Sequence, residues 1–200
     1  MALGYYEPLC SMIADGTAVT AAARTSLTTG AVSQAARPTL AANRLRIGDV
    51  IFVDASGRIS SAVTTPGTAQ FDLGFGASLG IAVMNSGAII LDPAIVHTNA
   101  GWVLYMKGTV RTIGTAASFF WQGYWMSEDI VGVAAGAVPR AVALTTLPWN
   151  SVPALGTTFD STVAQLIDLN FTQTVATGSC TLHQLEVTLK IGRASCRERV

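Results

Sequence analysis

The chain has 200 residues, 50% of them hydrophobic and 12% charged, with equal numbers of acidic and basic side chains. A chain so apolar falls outside the disordered class, and its length suits one domain. Lys107 and Lys190 are the only lysines, which argues against a nucleic-acid binder that works by neutralising phosphates.

The two ends read differently from the middle. Residues 191–200 place Arg193, Arg197 and Arg199 within seven positions, denser in arginine than the chain before them. This string resembles a translated sequencing adapter read in frame after the coding sequence, so it is set apart from the fold as a non-native tail. Without it the chain carries 9 basic and 11 acidic residues, and its cysteines are Cys10 and Cys180. Residues 1–16 show no basic start and no long apolar run, so no signal peptide is expected, and they are read as a segment preceding a single domain over 17–190. No apolar run approaches the length of a transmembrane helix, and no membrane partner is expected.

Strand patterns fill the domain. From Thr17 to Thr28 apolar and polar residues alternate, which predicts a strand, with a short helix as competitor because of the alanines. Residues 31–42 read as a connection. Leu45 to Val53 is rich in β-formers, and Asp54-Ala55-Ser56-Gly57 has the composition of a type I turn, so a hairpin returning over Arg58 to Thr64 is predicted. Thr65-Pro66-Gly67 is a second turn signal. Ala69 to Phe75 alternates as a half-buried strand. Leu79–Met84 and Ala88–Leu91 flank Asn85-Ser86-Gly87, which predicts another hairpin. Trp102, Leu104, Met106 and Val110 share one face opposite Tyr105, Lys107, Thr109 and Arg111; Ile113-Gly114-Thr115 then turns the chain, and Ser118–Met126 returns as an aromatic strand.

Prolines and glycines break residues 127–161, apart from a short strand near 141–147. Val163, Ile167, Leu169, Phe171 and Val175 then face away from Asp168, Asn170, Thr172 and Thr174. In the last strand His183 is placed on the face of Leu185, Val187 and Leu189. About ten short strands without an amphipathic helix predict an all-β, antiparallel β-sandwich, with a jelly roll favoured over an up-and-down barrel.

Few motifs carry chemistry. Gly76-Ala77-Ser78-Leu79-Gly80 matches the nucleophile-elbow string, and His97 or His183 with Asp92 or Asp168 could complete a triad around Ser78 on paper. That motif needs a strand before the serine and a helix after it, whereas strand and turn residues follow here, so a serine hydrolase ranks last. Gly74, Gly76 and Gly80 miss the dinucleotide spacing and are read as close backbone approaches or a bulge. Glu128-Asp129 is read as a solvated loop. Two cysteines and two histidines match no zinc spacing, and the scattered aspartates match no calcium loop, so no cofactor and no metal are expected.

The aromatic strand 119–125 places rings on both of its faces. One face suits a core; the other offers Phe120, Tyr124 and Trp125 as candidate interface or ligand-contact residues, for a subunit or a sugar. Charge scarcity adds to this. A monomer of this mass exposes about 9,000 Å² and so carries roughly one charge per 450 Å². Few ions need be stripped of water when such a surface meets another subunit, so self-association is expected.

Three segments resemble virion structural proteins of tailed bacteriophages that are common in viral metagenomes. They are Gly16-Thr17-Ala18-Val19-Thr20-Ala21-Ala22-Ala23, Gly57-Arg58-Ile59-Ser60 through Thr65-Pro66-Gly67-Thr68, and Gly156-Thr157-Thr158-Phe159-Asp160-Ser161-Thr162 through Leu182-His183-Gln184-Leu185-Glu186. Arg111-Thr112-Ile113-Gly114 and Gln122-Gly123 are similar to that group as well, and the likeness spans residues 14–190. The resemblance implies a non-enzymatic virion component, a head or tail decoration subunit, with its own copies and other virion proteins as partners. A virion module that binds host glycan or receptor is the alternative.

Overall fold

The computed structural model describes residues 5–28, 37–62, 66–77, 79–130, 143–149 and 153–191. These residues form thirteen strands and no helix: β1 (Tyr5–Ser11), β2 (Arg24–Ser26), β3 (Thr39–Leu40), β4 (Val50–Ser61), β5 (Thr68–Gly76), β6 (Ile81–Asn85), β7 (Ile89–Ile90), β8 (His97–Thr112), β9 (Ser118–Ser127), β10 (Ala143–Leu147), β11 (Ala154–Leu155), β12 (Gln165–Gln173) and β13 (Ser179–Ile191). Every strand pair named below is antiparallel. One sheet has the order β1-β13-β4-β8-β9-β10, with β11 also on β9; the other has the order β2-β12-β5-β6, with β3 on β12 and β7 on β5.

The chain passes repeatedly from one sheet to the other. Strands β1, β4, β8 and β13 lie in the first sheet, and β2, β5, β6 and β12 in the second, in the orders β1-β13-β4-β8 and β2-β12-β5-β6. This is the connectivity of a jelly-roll sandwich. Strands β9 to β11 widen the first sheet beyond β8. Aromatic rings join the two layers: Phe71 of β5 lies 4.8 Å from Trp102 of β8 and 4.9 Å from Trp125 of β9, and within its own sheet 5.1 Å from Phe171 of β12. Phe75 similarly meets Phe119 and Phe159.

Several local expectations are corrected by pairing across the sheets. The segment expected over 1–16 does not stand apart in its described part, because Tyr5–Ser11 is an edge strand of the sandwich, paired with Glu186–Ile191 of β13. Residues 192–200, expected to be a non-native tail, lie outside the described residues. The strand expected over Thr17–Thr28 shrinks to β2 and one bridge from Val19 to Cys180. No turn interrupts 54–57. Strand β4 runs straight through, between β13 and β8, with Ile51, Val53, Ala55, Gly57 and Ile59 all buried. The alternation of buried residues continues across the turn-like tetrapeptide, and ladders on both sides outweigh its local preference.

Asn85-Ser86-Gly87 is not a hairpin loop either, for β6 and β7 both pair with β5. It is an irregularity in one interrupted strand. The Ser86 N–H donates to the Phe71 carbonyl, and the Phe71 N–H donates to Ser86 Oγ, both at 2.9 Å, so the side chain restores the bond that the ladder loses. In β13 a register shift between Leu182 and Gln184 takes His183 off the buried face, where Leu182 and Leu185 instead lie. Asp168 and Asn170, on the β12 face opposite Ile167, Leu169 and Phe171, are themselves buried, with Ser26 and Thr28 of the segment around β2 donating to Asp168.

Candidate functional site

Sequence reasoning offered Phe120, Tyr124 and Trp125 together, and the structure separates them. On β9 the odd-numbered side chains Phe119, Trp121 and Trp125 turn inwards, and Trp125 is 0% exposed against Phe71. Trp125 is therefore a core residue and not an interface ring; the parity it shares with Phe119 marks that side. Tyr124 is on the outer face at 38% exposure. Phe120 is half-buried there, with the Arg111 guanidinium 4.9 Å from its ring centre.

The outer face of the wider sheet holds a row of rings that these residues only begin. Tyr105 of β8 stacks on Tyr124 at 5.4 Å; Phe52 of β4 lies 6.4 Å from Tyr105, and Tyr6 of β1 lies 6.3 Å from Phe52. Each comes from a different strand, so no stretch of sequence shows the row. Between Tyr6 and Pro8 on one side and Phe52 and Tyr105 on the other lies a groove of about 470 Å³, lined also by Asp54, Glu186 and Thr188. Asp54 and Glu186 are directly opposed across β4 and β13. Partial burial first, then the Glu186 charge, push the Asp54 carboxyl above its ordinary value. Burial also raises the Tyr105 hydroxyl, with Tyr124, Asp54 and Tyr6 adding to it. Lys107 and Lys190 place their ammonium groups 5.9 Å and 5.4 Å from the Phe52 and Tyr6 ring centres.

The same sheet changes character away from the groove. Leu144 of β10, Met126 of β9 and Val103 of β8 are cross-strand neighbours in one row, and Leu144 is 63% exposed. Leu155 of β11, also exposed, pairs with Phe120. A further cleft of about 640 Å³ is lined by Arg58, Glu128, His183 and Gln184 beside Gly57 and Gly101.

The residues that could have formed a triad do not converge. Ser78 lies outside the described residues. The segment around it joins antiparallel strands β5 and β6, without the helix that a nucleophile elbow needs. His97 Nε2 lies 3.1 Å from Asp92 Oδ2, and His183 Nδ1 lies 2.8 Å from Asp15 Oδ1, so each imidazole has its own acid. Asp168 instead accepts from Ser26, Thr28 and Arg37. Of the Gly74, Gly76 and Gly80 set, Gly74 adjoins the register shift in β5, where a side-chain carbon would meet Asn170, and Gly76 has φ +120°. Glu128 is exposed, but Asp129 is buried rather than solvated: Ser61 Oγ donates to its Oδ1 at 2.6 Å, and burial pushes its carboxyl above the ordinary value. Among the described residues no group of three or more His, Cys, Asp or Glu could hold a metal ion.

No family model matches the chain, and no curated protein sequence matches it. Among solved structures it is similar to the CBM2 module of an evolved Dit from Lactobacillus casei BL23 phage J-1, with a TM-score of 0.25 and 7% identity over 78% of this chain and 69% of that one. A likeness this low does not bear on function. The jelly roll and its outer sheet face therefore stand on their own geometry.

Proposed function

We propose that the chain is a non-enzymatic structural subunit of a bacteriophage virion, a head or tail decoration protein, which associates with copies of itself and with other virion proteins. The observation that carries self-association is the row Leu144–Met126–Val103 on the outer face at the β10 edge. None of these side chains is charged, and covering them removes apolar surface from water at about 25 cal/mol per Å² without stripping an ion. Strand β10 ends the main strand order of its sheet, and its sequence Ala-Leu-Thr-Thr-Leu contains neither charge nor proline. Such an edge accepts another strand readily. The virion assignment rests on the resemblance to tailed-phage proteins given above.

Sedimentation velocity over a range of protein concentrations tests the first half. The expected result is an oligomer that a Leu144→Lys, Met126→Lys double variant converts to monomer, with its melting temperature retained. A wild-type chain that stays monomeric at the highest concentration would remove the reading. Mass spectrometry of purified virions from a phage that encodes the chain tests the second half.

A further inference from the structure

We propose that the groove between Tyr6, Phe52 and Tyr105 is a binding site for an uncharged saccharide, separate from the apolar row at β10. Its walls are rings from three strands and its floor carries hydrogen-bonding groups. The rings offer flat apolar faces, with Tyr6 and Phe52 at 6.3 Å and Phe52 and Tyr105 at 6.4 Å, tilted at 31° and 43° so that they line a trough and do not close on each other. A pyranose has a matching shape, with an apolar C–H face that lies on a ring and hydroxyls around its rim. The volume of about 470 Å³ has room for one or two sugar units.

The polar groups choose among ligand classes. Asp54 and Glu186 are acceptors only when ionised, and no ion pair engages either among the described residues; Glu186 takes one bond from the Thr188 hydroxyl at 3.1 Å. Two carboxylates directly opposed on neighbouring strands repel, and a ligand that brings several O–H donors relieves that arrangement. A cationic ligand would serve the carboxylates too, but Lys107 and Lys190 already stand against the Phe52 and Tyr6 rings. The two ammonium groups match the two carboxylates in number, although neither lysine lines the groove itself. What remains unmatched is a supply of hydroxyl donors and an apolar face, which a neutral sugar provides together.

The test is binding of the full chain to an array of immobilised neutral, amino and acidic oligosaccharides, with the hits measured by calorimetry. The expected result is that neutral sugars bind. Phe52→Ala or Tyr105→Ala should weaken them about tenfold or more, and Asp54→Asn should weaken them while the fold and melting temperature stay intact. Since Phe52 also packs on its neighbours, saturation-transfer NMR on the wild type gives a second readout: sugar C–H protons should receive magnetisation from aromatic protons. The Leu144→Lys, Met126→Lys variant should bind sugar as the wild type does, which keeps this result distinct from the test of self-association. No neutral sugar bound at millimolar concentration, stronger binding of tetramethylammonium than of any neutral sugar, or hits indifferent to Phe52 and Asp54 would each overturn the proposal.

Discussion

Asp72 has no exposed surface, and donors surround its carboxylate. Arg24 grips it with two nitrogens, Nε to Oδ2 at 2.9 Å and Nη2 to Oδ1 at 2.6 Å, and the Asn170 amide donates to Oδ1 at 3.0 Å. The same guanidinium donates to the Leu79 and Gly80 carbonyls, so one side chain ties β2 to β5 and to the connection before β6. Arg24→Ala strands a buried carboxylate, and about 3 kcal/mol of stability should be lost in urea unfolding. An Arg24→Leu, Asp72→Leu pair should lose clearly less, since it leaves no ion behind; equal losses would mean that packing and not charge is at stake. Asp129 is also buried, with the Ser61 hydroxyl as its donor. Burial raises its folded pKa above that of the unfolded chain, so the folded form binds the proton more tightly. Its contribution to stability is complete below the ordinary carboxylate range near 4 and is lost as pH rises through the raised folded value. Melting curves of wild type and Asp129→Asn should therefore diverge in the variant's favour as pH rises above about 4. A constant offset would show that Asp129 does not titrate in that range.

At the scale of the element, β4 shows how a ladder overrides a turn signal. Gly57 faces Leu182 on one side and Trp102 on the other, and a carbon added there would lie 1.9 Å from the Thr181 carbonyl and 2.8 Å from the indole. The glycine that suggested the end of a turn is there for close approach of neighbouring strands. Gly57→Ala should cost about 1–3 kcal/mol and lower the melting temperature, with the β-sheet circular dichroism kept. Alternation was legible along β8, where Trp102, Leu104, Met106 and Val110 were read as one face and are all buried, whereas on β9 the sequence reading grouped the buried Trp125 with Phe120 and Tyr124. It was illegible where a register shift intervened, at Leu182/Gln184 of β13, and where a polar face was itself covered, at Asp168 and Asn170 of β12. A strand's own residues do not say whether something lies on top of them.

In the whole molecule the first and last described strands are neighbours, Tyr5 against Ile191, and β13 lies between β1 and β4. Nearly the full length of the chain must be collected before this pair forms, so folding should be slow for a domain of this size. Deleting residues 1–11 should bare the β13 edge, speed amide exchange at the groups that β1 now pairs, and lower the melting temperature; unchanged exchange along β13 would contradict the role given to β1. The same long-range assembly builds the outer face. Tyr6, Phe52, Tyr105 and Tyr124 are brought into one row by four strands, and the carboxylates of Asp54 and Glu186, 132 positions apart, become opposed.

The amino-acid order alone determined that this is an all-β sandwich, because period-two alternation and turn residues are local properties, and it determined the low surface charge by composition. It could not determine which strands are adjacent, since that depends on contacts between residues far apart in the chain. Tertiary structure decided that Trp125 packs inside, that Asp129 is buried, that residues 5–11 belong to the sheet and that the groove exists, for each depends on what another strand places beside it.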